Sequence, residues 1–128
     1  MEIFKVRTFT RWARKEGLKD ALLCTAVAEM QAGLVDANLG GGLVKKRVAR
    51  AGSGKSGGYR TLLATNLRDR WVFLYGFSKN ERENVDDDEL RTLKRIAQVY
   101  LGMDEELLNR LLDGGELIEV DDGESKTA

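Results

Sequence analysis

Six basic side chains, Lys45, Lys46, Arg47, Arg50, Lys55 and Arg60, fall within the sixteen positions KKRVARAGSGKSGGYR, with no acidic residue among them. Arginine grips phosphate oxygens with a planar fork and lysine as a point charge, so this stretch suits a phosphate ligand. The Gly/Ser segment Ala51–Gly58 divides it, and the flanks read as β-strand. Alternation puts Lys45 and Arg47 on one face of the first strand, and Val44, Lys46 and Val48 on the other. On the second strand Arg60, Leu62 and Ala64 share a face. Lys45, Arg47 and Arg60 can therefore converge, with Lys55 entering from the loop and Lys79 from the end of the next strand. The segment AGSGKS is no P-loop. That motif needs Gly where Ala49 stands and a helix after Lys-Ser, and here Gly57-Gly58 and a β pattern follow.

A polynucleotide fits these residues better than a nucleotide. Cleaving an RNA phosphodiester requires a deprotonated 2′-hydroxyl, a stabilised pentavalent phosphorus and a protonated leaving oxygen. The chain has no His and one Cys, Cys24, which excludes zinc sites and His-based proton transfer. A lysine with its pKa lowered by cationic neighbours can move protons, and Glu81 or Glu83 can act as general base. Arg47 and Arg60 suit charge stabilisation. Lys45, Lys46 and Arg50 suit the RNA backbone. Tyr59 and Tyr75 either stack on bases or pack within the sheet. Neither metal nor cofactor is called for.

The elements that must hold these residues can be read in order. Glu2–Arg7 predicts a strand. Thr8 is expected to cap a helix over Phe9–Glu16, with Trp12 packing beside Phe9, and Gly17 stops it. A second helix is expected over Lys19–Ala32, from the spacing of Leu22, Leu23, Ala26, Val27 and Met30. Leu34–Gly42 reads as a loop. Strands are expected at Leu43–Ala49, Tyr59–Thr65 and Trp71–Phe77, the last two joined as a hairpin by Asn66–Arg70. Trp71–Phe77 is apolar on both faces, which predicts an inner strand. Asp86 and Glu89 make a capping box for a helix carrying Leu90, Leu93, Ile96, Ala97, Tyr100 and Leu101. Asp87 and Asp88 suit its dipole rather than a metal. Asp104 caps a short helix that ends at Gly114. Glu116–Val120 reads as a strand or a docking segment, and Asp121–Ala128 as disordered.

The chain of 128 residues carries equal numbers of acids and bases, yet they are unevenly placed. Residues 1–101 hold 19 Lys/Arg against 12 Asp/Glu, and residues 102–128 hold 2 against 9. A basic body with an acidic end suggests nucleic-acid contact; the plain alternative is a solvated basic face. No apolar run approaches a bilayer span, and a lone cysteine suits a reducing cytoplasm. The acidic end, with Glu116, Glu119, Asp121, Asp122 and Glu124, either competes with RNA for the basic face or points away as a solubilising tail.

With its elements in this order, the sequence resembles the RelE/HigB toxins of type II toxin–antitoxin systems. The resemblance rests on GGLVKKRVARAGSGKSGGYR at 41–60 and on the apolar strand running into FSKNERENV at 77–85. It implies an α+β fold with two N-terminal helices, a mainly antiparallel four-stranded sheet and a C-terminal helix. A toxin domain is expected over 1–101, and a short helix with an acidic tail over 102–128. The resemblance implies a cytoplasmic, ribosome-dependent mRNA endonuclease, with its basic catalytic positions on Arg47, Lys55, Arg60 and Lys79. The RelE-type branch has an Arg where Asn80 stands and a Tyr where Asp86 stands. Ribosome, mRNA and a cognate antitoxin of helix-turn-helix type are the implied partners. A gyrase-inhibiting ParE-like toxin and a non-catalytic RNA- or ribosome-binding module are the alternatives.

Overall fold

The computed structural model describes residues 1–50 and 54–121, with the side chains of all but 50 and 54–57. In chain order the elements are β1 (Glu2–Val6), α1 (Arg7–Glu16), α2 (Asp20–Gln31), β2 (Ala37–Gly40) and β3 (Leu43–Arg50). They continue with β4 (Gly54–Thr65), β5 (Arg70–Ser78), α3 (Asp87–Leu101), α4 (Glu105–Asp113) and β6 (Leu117–Glu119). One six-stranded sheet runs β2-β3-β4-β5-β1-β6. A strand as apolar as β5 must be covered on both faces, and β5 is an inner strand, with Trp71, Val72 and Phe73 fully buried. Among the described residues no helix is long and apolar enough to cross a membrane.

Two cores sandwich the sheet. Helices α1 and α2 cover one face, where Phe9, Leu23, Val27, Val44, Val48, Leu63 and Phe73 meet. Helices α3 and α4 cover the other, where Leu43, Leu62, Val72, Phe77, Ala97 and Leu108 meet. Trp12 packs between α1 and the sheet, as expected. A Cβ on Gly76 would lie 2.2 Å from its ring, so only glycine admits this approach.

The expected mainly antiparallel sheet of four strands is corrected to one of six, mixed through a single parallel pairing. β1 pairs with β5 in parallel, Glu2 beside Arg70 and Lys5 beside Phe73. The expected loop at 34–42 contains β2, which turns into β3 through Gly40, Gly41 and Gly42, all at positive φ. Glu116–Val120 yields β6, which pairs antiparallel with β1. Helix α1 begins two residues earlier than expected. Val6 occupies the N-cap of α1 without a side-chain bond, and Thr8 lies inside the first turn. The capping box of Asp86 and Glu89 and the cap by Asp104 are as expected. Residues 122–128, including Asp122 and Glu124, lie outside the described residues.

A β-bulge sets the side chains at the far end of β5. Leu62 faces Tyr75 while Leu63 faces Phe73, so Leu74 is the extra residue. The bulge breaks the alternation. Trp71 and Phe73 point to the α1/α2 core, yet Tyr75 and Phe77 join the α3 side. Lys79, two residues beyond Phe77, is thereby directed to the face that carries Lys45, Arg47 and Arg60.

Candidate nucleic-acid interface

Register brings the basic residues together. Arg47 lies directly opposite Arg60 across β3 and β4, and Arg60 lies opposite Phe77 across β4 and β5. Lys45, Arg47, Arg60, Lys79, Glu83 and Asn84 line a cleft of about 280 Å³ at this end of the sheet. Arg60 is buried, at 7% exposure, whereas the Arg47 side chain is 48% exposed. Like charges opposite one another oppose strand pairing, a cost that a phosphate bound between them lowers. Asp36, just before β2, accepts the Arg47 backbone N–H at 2.7 Å, and its other oxygen lies 3.9 Å from the Arg47 Nε. Lys45 Nζ donates to Asn84 Oδ1 at 2.9 Å, tying β3 to the loop after β5.

That loop is held by Arg82. Its Nη1 and Nη2 donate to the two Glu89 carboxylate oxygens at 3.0 and 2.6 Å, and its Nε donates to the Asn84 carbonyl at 2.9 Å. The guanidinium also stands over the Phe77 ring, 5.9 Å from its centre. Glu89 Oε1 accepts the Asp86 N–H as well, so the α3 capping box and the loop share one carboxylate. The Arg82 fork, followed by the Asp86 N–H, lowers the Glu89 pKa to about 2. Hydrogen bonding to Glu89 raises that of Arg82 above its ordinary value. Arg82 thus holds in place the wall that carries Lys79, Glu83 and Asn84.

A basic cleft on an α+β sheet does not by itself name a family; the whole chain does. Residues 1–120 match the family model described as the RelE toxin of the RelE/RelB toxin–antitoxin system. The chain belongs to the RelE toxin family. Membership implies a cognate antitoxin as partner. No curated protein sequence matches the chain.

The RelE fold of this chain separates the expected site residues into groups. Lys45, Arg47, Arg60, Lys79 and Glu83 share the cleft. Glu81 turns away and accepts the Ser78 hydroxyl at 3.0 Å, so Glu83 is the carboxylate that lines the cleft. Lys46 is on the opposite face, 2% exposed, paired with Glu29 at 2.9 Å and donating to the Leu34 carbonyl. Tyr59 is buried there too, its ring edge-on to Trp12 and its hydroxyl donating to the Glu16 carbonyl at 3.0 Å. Neither Lys46 nor Tyr59 is presented to a ligand: both face the α1/α2 core. Tyr75 is half-buried against Phe77 and lines a separate hollow with Asp88, Glu89, Thr92 and Leu93. The side chains of Arg50 and Lys55 lie outside those described; their backbones belong to β3 and β4.

Three features of the candidate site escape sequence reasoning: Arg82, Asn84 and an apolar hollow. The hollow, about 200 Å³, adjoins the cleft and shares Lys45 and Asn84 with it; Ala37, Leu39, Leu62, Phe77, Val85 and Leu90 complete its walls. The cleft and the hollow together can hold a phosphate beside an unstacked base. The one sequence signal for Arg82 was the capping box, since a Glu fixed at a helix start is a ready partner for a nearby arginine. A wider hollow of about 470 Å³ lies between α3 and α4, where Asp104, Glu106 and Arg110 mix the charges.

Proposed function

We propose that this toxin is a ribosome-dependent endoribonuclease that cuts mRNA and stops translation in the cytoplasm, without a metal or cofactor. The observation that carries the reading is the Arg47–Arg60 pair facing one cleft beside Lys45, Lys79 and Glu83. Arg47 and Arg60 stabilise charge on the pentavalent phosphorus. Glu83 takes the 2′-hydroxyl proton, and Lys79 gives a proton to the leaving oxygen. Lys45, with Arg50 and Lys55 on the adjoining strand ends, holds neighbouring phosphates. The base next to the scissile bond leaves its stack and enters the apolar hollow. The antitoxin, of helix-turn-helix type, silences the toxin by covering it.

Primer extension on mRNA in a translating extract tests this. Cuts at defined codons, lost in Arg60→Ala and absent without ribosomes, are the expected result. Stalled ribosomes on intact message would instead make the chain a non-catalytic binder, and gyrase inhibition with normal translation would make it ParE-like.

A further inference from the structure

Lys46 is a buried charge with no part in the cleft chemistry. It faces the α1/α2 core, where its Nζ lies 2.9 Å from a Glu29 carboxylate oxygen and donates to the Leu34 carbonyl at 2.8 Å. A buried ammonium is tolerated when it is paired and hydrogen-bonded, and these partners come from the end of α2 and the segment after it. Val35 packs against the same core. Asp36 follows, just before β2, and its backbone N–H donates to the Lys45 carbonyl at 3.2 Å. Residues 34–36 therefore clasp β3 at two consecutive side chains, Leu34 holding Lys46 on the inner face and Asp36 holding Arg47.

The Asp36 contact has two parts. β2 has not yet begun at this level, and a side chain supplies the acceptor that the ladder lacks: Asp36 Oδ2 takes the Arg47 N–H at 2.7 Å. Asp36 Oδ1 lies 3.9 Å from the Arg47 Nε. Among the described residues Asp36 is the one acid paired with Arg47. Arg47 thus stands between opposite charges, Asp36 on the β2 side and Arg60 directly across on β4. A guanidinium offers an oxyanion two forked edges, one from Nε and an Nη, the other from both Nη atoms. With Asp36 beside Nε, the Nη pair is the edge left for a phosphate. The Arg47 side chain is 48% exposed, so without a tether it would spread over several rotamers. We propose that Asp36 is the positioning residue for Arg47, its carboxylate holding the Nε side so that the two Nη atoms meet the scissile phosphate. Resting on the reading of the cleft as the site of RNA cleavage, this separates binding from turnover. A negative charge beside a phosphate site weakens the hold on RNA, whereas a fixed Arg47 speeds the chemical step.

The test is Asp36→Asn, which keeps an oxygen for the Arg47 N–H and removes the charge. Cleavage of mRNA on programmed ribosomes, followed over a range of toxin concentrations, gives a maximal rate and a half-saturating concentration. Asp36→Asn should lower the maximal rate by about 10–100-fold, while the half-saturating concentration stays at the parent's or falls. In an Arg47→Ala background the same substitution should cost nothing further, because no guanidinium is left to aim. A parental rate in Asp36→Asn overturns the proposal, since the carboxylate would then serve the ladder alone, a role that asparagine fills. A faster rate overturns it too, because the charge would then merely oppose the phosphate. Equal losses with and without Arg47 also overturn it, since the defect would not pass through Arg47. If Arg47→Ala loses cleavage and Asp36→Asn does not, the positioning role alone fails. A parent chain that cuts nothing, or an Arg47→Ala variant that cuts at the parental rate, fails the reading of the cleft and overturns the proposal with it.

Discussion

Arg47 and Arg60 confront one another across two strands, and Arg60 does so while almost fully buried. Facing guanidiniums oppose strand pairing, and a phosphate bound between them lowers that cost. Arg60→Ala should lower the cleavage rate by about 10²–10³, or about 3–4 kcal/mol of transition-state stabilisation. Thermal unfolding should show the fold intact; cleavage at the parental rate would remove Arg60 from the chemistry. Arg82 acts at one remove. Arg82→Ala and Glu89→Gln should each slow cleavage, and the double variant should lose little more than either, since both break one strut. Additive losses would make Arg82 an independent phosphate ligand. The same pair sets an acid limit. Glu89 has a folded-state pKa of about 2, below its ordinary value of 4.5, so its contribution is full above about pH 4.5 and is lost as pH falls towards 2. Glu89→Gln should flatten the stability–pH curve in that window; an unchanged curve would show the ion pair to be too exposed to matter. Alternation placed Lys46 among Val44 and Val48, so the side that overturns its reading as an RNA-backbone contact was legible in the sequence. Its partner Glu29, on another element, was not.

At the scale of elements, legibility follows length and pattern. Long periodic segments such as α2, α3 and β5 announce themselves. β2 and β6, four and three residues long, are too short for alternation to show, and their pairing is set by neighbours. The parallel partnership of β1 with β5 depends on α1 and α2 crossing the sheet face, a long-range arrangement that no local pattern encodes. The bulge at Leu74 is a further case. A continuous apolar run carries no mark of where alternation breaks, although the break decides that Lys79 faces the cleft. Gly76 within that strand was a weak sign of close packing, and it supplies a test. Gly76→Ala drives a methyl into the Trp12 ring and should cost about 1–3 kcal/mol in urea unfolding. The cost should shrink in a Trp12→Leu background. An equal cost in both backgrounds would mean that the glycine matters for backbone reasons and not for contact with Trp12.

At the scale of the whole molecule, the acidic end can be located relative to the basic one. β6 runs antiparallel to β1, Leu117 beside Val6 and Glu119 beside Phe4, and the Val120 N–H donates to the Ile3 carbonyl. β1 in turn runs parallel to β5, with Ile3 beside Trp71. The chain therefore leaves the sheet level with Trp71, while the cleft lies level with Phe77. Six strand residues separate those levels, about 20 Å, roughly twice the screening length at 0.1 M salt. Glu119 and Asp121 are consequently too distant to compete for Arg47 or Arg60. Removing residues 122–128 should leave RNA affinity at 0.1 M salt within about twofold of the parent. A rise in affinity that fades with added salt would show instead that the acidic residues reach back to the cleft. A deeper cut at residue 114 is a different experiment. It strips Leu117 and Val120, 1% and 6% exposed, from the two cores. That loss of about 3–6 kcal/mol should appear as unfolding, before any effect on RNA can be read.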